Sequence, residues 1–295
     1  MGMISFYLPG FFDRMHLQLV LHAMMEKYPE VFYENIRIGA VYGTFPGCIW
    51  NGGRTVLGSC SMEQAEYVLS EFNSRGIPLR FTFTNALLSE EHLSDPFCNA
   101  VLERACEGSG AVNEVLVNSP LLEAHIRKNY PDLPLISSTT KQLRSREELE
   151  KELEKDYKLI VVYKALNRSK ELFLLPQKER FEILVDSFCM DNCPKSAAHY
   201  REASLAQLES REPVFEGCRA INRDFYDFTE NESFITAEEL YGRYHEAGFS
   251  HFKLDGRTFT DADVIESYMY YMIKPEARDR ARLTMHKTLE KLRRI

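Results

Sequence analysis

Eight short runs rich in β-branched and apolar residues alternate with amphipathic stretches along this chain, and that alternation constrains the fold more than any other feature. The runs are Ile4 to Leu8, Arg37 to Tyr42, Leu79 to Thr84, Glu114 to Asn118, Leu135 to Thr139, Leu159 to Tyr163, Phe181 to Val185 and His251 to Leu254. Strands separated by helical crossovers must pair in parallel, and eight such units close a (β/α)8 barrel. An open doubly wound sheet is the alternative. Punctuation between the runs fits. Ser61 with Gln64 three residues on reads as a capping box, and Gly76 ends the helix it opens. The charged segment Glu147 to Asp156 reads as a solvated helix face. A helical excursion is expected over about 194–248, between the last two strands, so residues 1–295 read as one barrel domain with that insertion.

Composition excludes several classes. Thirty-six Lys and Arg against 44 Asp and Glu give a net charge of −8, which does not indicate nucleic-acid binding. No apolar run approaches a membrane span, and the N-terminus lacks the pattern of a signal peptide. A cytoplasmic protein with reduced thiols is expected, because seven cysteines, an odd number, do not read as a disulfide framework.

In a barrel, chemistry gathers where strands end. Cys48, Trp50 and Arg54 follow strand two. Asn85 ends strand three, Asn118 strand four, and Ser138 with Thr139 strand five. Asp186, Cys189 and Cys193 follow strand seven, and Lys253, Asp255 and Arg257 sit on or after strand eight. Cys189 and Cys193, together with Cys48 and Cys218 in loop-like sequence, suggest either a four-thiolate iron–sulfur or zinc site, or four unconnected thiols. The three-cysteine run of radical enzymes is absent, since Ser196 stands where its third thiol would be. There is no GxSxG, HExxH or P-loop. Cys98 and Cys106 read as small buried residues, and His199 and His251 as structural.

The pieces FTFTNALL, EVLVNSPLLEAHIRKNYPDLPLISST, FEILVDSFCMDNCP and HFKLDGR, in this order, resemble the collagenase-like peptidase family of unassigned mechanism. That family includes oxygen-independent hydroxylation proteins acting on ubiquinone, transfer RNA and ribosomal RNA. The resemblance implies a barrel and a [4Fe–4S] cluster on Cys48, Cys189, Cys193 and Cys218, with zinc as the alternative. It further implies a redox partner or a homologous hetero-partner. Under it, Asn85, Asn118, Ser138 and Thr139 would line the pocket, while Lys253 and Arg257 would bind an anionic group, with Asp255 orienting or satisfying either cation; a structural salt-bridge cluster is the alternative for these three. A peptidase, or a zinc-stabilised binding protein, is the other expectation.

Overall fold

The computed structural model describes residues 2–108, 110–190, 193–218, 224–256 and 259–292. Its eight strands are β1 (Ile4–Pro9), β2 (Ile36–Gly43), β3 (Leu79–Phe83), β4 (Glu114–Val117), β5 (Leu135–Ser137), β6 (Leu159–Val161), β7 (Phe181–Leu184) and β8 (His251–Lys253). Each pairs in parallel with the next, and β8 returns to β1, closing the barrel. The open-sheet alternative is thereby excluded.

Among the described residues, ten α-helical segments surround or cap the strands: α1 (Met15–Lys27), α2 (Met62–Asn73), α3 (Pro96–Glu107), α4 (Pro120–Asn129), α5 (Arg146–Leu153), α6 (Lys170–Phe173), α7 (Ser196–Leu208), α8 (Ala237–Glu239), α9 (Asp261–Met272) and α10 (Arg278–Leu292). Ser61 and Gln64 form the expected capping box at α2, and Ser145 with Glu148 forms another at α5. Within the excursion, α7 is a full helix, and α8 continues as a π-helical turn over Leu240–Tyr244. No helix among the described residues is long and apolar enough to cross a membrane.

Strand alternation sorts the side chains into two cores. Outward-facing Phe6, Val41, Phe81, Val115, Ile160, Ile183 and Phe252 join the helices in one large apolar cluster. Inward-facing Tyr7, Ala40, Tyr42, Leu116, Ile136, Leu159 and Val161 form a second, smaller cluster inside the barrel. Below them the interior is charged. Arg80 Nε donates to Glu114 Oε2 at 2.7 Å, and a second Arg80 nitrogen donates to Glu182. Lys158 completes the pairing of Glu114 from the outer rim. The Arg80 guanidinium also lies 3.9 Å from the centre of the Tyr7 ring, a cation–π contact. Gly39 makes room for that ring: a Cβ there would sit 2.9 Å from two of its carbons.

Burial would neutralise such a group if it stood alone, but the charges here are paired. Burial works against the Arg80 charge, yet Glu182 and Glu114 more than offset it, and the guanidinium is held firmly protonated. Burial likewise opposes the Glu114 charge, while Arg80 and Lys158 pull its pKa below the usual carboxylate range. His251 behaves differently. Burial drives its pKa down to about 4, so at neutral pH the uncharged ring shares a hydrogen bond of 2.7 Å between Nδ1 and Tyr7 Oη.

Candidate active site at the barrel mouth

The long loop after β2 folds across the C-terminal end of the barrel. Trp50 fixes it. Its indole is fully buried, edge-on to Phe83, and its Nε1 donates to the His92 carbonyl at 2.7 Å. Gly52 then lies against the end of β3, its amide donating to the Thr82 carbonyl at 3.3 Å. Helix α7 clamps this loop from above. Gln207 Nε2 donates to the carbonyls of Cys48 (3.2 Å) and Val56 (3.1 Å), and Gln207 Oε1 accepts from Val56 N (2.7 Å) and Asn51 Nδ2 (3.2 Å). Every polar atom of this buried amide is used, as its burial demands.

Under this roof lies a cavity of about 70 Å³, lined by Tyr42, Gly53, Arg54, Thr82, Thr84, Leu116, Ser138, Thr139, Thr140, Leu184, Tyr200, Lys253 and Asp255. Lys253 rises from β8 with its ammonium 3.7 Å from the centre of the Tyr42 ring and 3.6 Å from Glu182 Oε1. Arg54 comes from the loop and stacks on Phe188, 4.5 Å from the ring centre. Tyr200 reaches in from α7, and burial raises its phenol pKa well above the ordinary value. Ser138 and Thr140 bridge their hydroxyls at 2.9 Å.

Asp255 faces the same cavity, and behind it Asp186 is fully buried. Asp186 Oδ1 accepts from the Asp255 amide at 2.6 Å, and its Oδ2 accepts from Ser267 Oγ of α9 at 2.7 Å. Burial first, and the neighbouring Asp255 second, push the Asp186 pKa up to about 8. The folded chain thus holds a proton that the unfolded chain releases near pH ~4. Its stabilising contribution is complete below pH ~4 and is lost as pH rises through about 8. Replacing Asp186 with Asn keeps an oxygen for the Asp255 amide and removes this titration. The urea midpoint of D186N should therefore fall less than that of the parent between pH 4 and 8. Parallel profiles would show that Asp186 ionises normally.

The sequence-derived residues separate into distinct groups. Ser138, Thr139, Lys253 and Asp255 line the cavity. Asn85 is fully buried and acts as a tie: its Nδ2 donates to the carbonyls of Ile49 (3.1 Å) and Ser204 (3.0 Å), joining loop to roof. Asn118 supports Thr140 Oγ1 at 2.8 Å and opens on a different depression, beside Glu123, Lys141 and Glu152. Arg257 lies outside the described residues. Arg54, marked by its place after β2, lines the cavity too, as do Tyr42, Thr82, Thr84 and Tyr200, which the strand-end rule does not mark. Inward phase on β2 and β3 could have marked Tyr42, Thr82 and Thr84, but nothing local marks Tyr200.

Among the described residues, no three Cys, His, Asp or Glu side chains come together in a way that could hold a metal ion. Cys48 is fully buried in the apolar core, and its thiol pairs with that of Cys98. The Cys189 and Met190 carbonyls each accept from Lys164 Nζ at 2.6 Å, which fastens the loop after β7 to the rim. The Cys193 carbonyl accepts from Ser196 N at 3.2 Å at the start of α7, and Cys218 N donates to the Phe215 carbonyl at 3.2 Å. Among the described residues, Cys48, Cys189, Cys193 and Cys218 form no such metal-holding group.

Fold and mouth together define a parallel (β/α)8 barrel protein with a roofed polar cavity at its C-terminal face. No family model matches the sequence, and no curated protein matches it. Among solved structures, the chain is similar to the U32 peptidase Mk0906, with a TM-score of 0.54 and 18% identity. The alignment covers 88% of this chain and 95% of that one. At this identity the likeness speaks for the fold.

Proposed function

We propose that the chain is a barrel enzyme of the collagenase-like peptidase kind. In this reading, a small polar substrate or a peptide end enters the roofed mouth and is hydrolysed there by acid–base chemistry. The observation that carries the reading is Asp255, which faces the cavity just past the end of β8, with its backbone fixed by Asp186 and with Lys253, the last residue of that strand, lining the same cavity. Asp255 would accept the proton of an attacking water, and Lys253 would stabilise the negative charge that develops on the substrate. Asp186 is buried and does not line the cavity, so in this reading it serves as a positioning residue. The likeness to a solved U32 peptidase over most of both chains supports the hydrolytic sense.

The experiment is digestion of a library of short peptides, read by mass spectrometry. Asp255→Asn should lower cleavage by about a hundredfold or more, while Cys218→Ser should leave it unchanged. Equal cleavage by Asp255→Asn would remove Asp255 from the mechanism.

A second reading is iron–sulfur-dependent hydroxylation, with a redox partner or a homologous hetero-partner. What favours it is the spacing of Cys189 and Cys193 in the loop that follows β7. It requires Cys48 to leave its buried pairing with Cys98. Iron and sulfide counts on anaerobically purified protein separate the two readings, and stoichiometric zinc would favour a metal-stabilised binding protein.

A further inference from the structure

We propose that the barrel mouth recognises an oxyanion, a carboxylate or phosphate group of a small ligand, through Arg54 and Lys253. The inference rests on the reading of the mouth as the working site and names the chemistry it selects.

Arg54 Nη1 donates to the Gly53 carbonyl at 2.6 Å, which sets the direction of the guanidinium. The Phe188 ring covers one face of that plane. Its Nε is buried and meets no acceptor among the described residues. A buried donor of a charged group left without an acceptor carries a substantial desolvation cost. That cost is relieved when a ligand oxygen arrives, and Arg54 is among the residues that line the cavity.

Lys253 supplies the second cation. Its side chain is 7% exposed, so its charge is little screened by water. The nearest carboxylate on the interior side, Glu182, is also engaged by Arg80, so its charge is divided between two cations. Facing the cavity are therefore a guanidinium, an ammonium and one carboxylate, Asp255, with the Ser138, Thr139 and Thr140 hydroxyls between them. An entering oxyanion accepts from Arg54 Nε and Lys253 Nζ, while the one hydroxyl proton that the Ser138–Thr140 pair does not use internally donates to a remaining lone pair. Asp255 favours a ligand that also carries an amine or hydroxyl donor. The volume of about 70 Å³ suits one such headgroup, so the rest of a larger ligand must project outward.

Titration calorimetry on the full chain tests this with inorganic phosphate, lactate, and lactamide as the uncharged counterpart of lactate. Phosphate or lactate should bind and lactamide should not. Arg54→Gln and Lys253→Met should each weaken the acid by about ten- to a hundredfold, the range for a hydrogen bond to a charged group. Arg54→Lys, which keeps the charge but loses the Nε donor, should not restore wild-type affinity. Circular dichroism checks that the variants fold. Lactamide binding as well as lactate overturns the oxyanion while leaving the mouth as a ligand site. Unchanged acid affinity in Arg54→Gln overturns it as well. Absence of any acid binding, with peptide cleavage still sensitive to Asp255→Asn, overturns the oxyanion and spares the hydrolytic reading.

Discussion

Replacing Arg80 with Met should lower the free energy of unfolding by about 3–5 kcal/mol, the range for breaking a buried ion pair by removing one partner. The reason lies in what remains. Glu114 and Glu182 are both fully buried, and their carboxylates are held by the same guanidinium. Lys158 stays beside Glu114, but its side chain is 45% exposed and its charge is partly screened. Lys253 stays 3.6 Å from Glu182 but also serves the mouth. Neither reaches both acids, so at least one buried carboxylate must take up a proton or draw in water. Urea unfolding at neutral pH reads the loss. The variant should regain part of it at acid pH, where the stranded carboxylates protonate. A loss below about 1 kcal/mol, the range of an exposed surface pair, would mean that the other two cations already suffice.

Gly52→Ala should damage fold and site together. A Cβ at Gly52 would lie 2.4 Å from both the carbonyl carbon and oxygen of Thr84, and 2.5 Å from Asn85 N. These are backbone atoms at the end of β3, so no rotamer change relieves the clash. Loop and strand must separate, and overpacking of this kind costs about 3 kcal/mol. Arg54 lies two residues further along the same loop, so its guanidinium leaves the cavity when the loop lifts. Thermal unfolding together with lactate affinity should therefore fall in this variant. Gly242→Ala is the control, because a Cβ there meets nothing within 4 Å. A Gly52→Ala protein with parental stability and affinity would show that the loop is not held in this close approach.

The barrel was legible because its signal is repeated. Each strand carries a short apolar run of the same kind, and eight such runs admit few arrangements; the last, His251–Lys253, was placed to within a residue at its end. The site was legible only in part. Ser138, Lys253 and Asp255 follow from the rule that chemistry sits at strand ends, a local property. Asn85 satisfies the same rule, but its amide is consumed in tying loop to roof, which depends on where α7 lands. Tyr200 enters the cavity for the same non-local reason. The cysteines show the limit most plainly. Cys48 lies near the mouth in sequence order, yet Cys98, fifty residues later and read as a small buried residue, is its neighbour in space.

One anaerobically grown crystal, soaked in phosphate and measured at the iron absorption edge, tests the central claim. The account predicts oxyanion density in the mouth, within hydrogen-bonding distance of Arg54 Nε and Lys253 Nζ, with Cys48 still beside Cys98. An empty mouth, with iron gathered by Cys48, Cys189, Cys193 and Cys218, would contradict it.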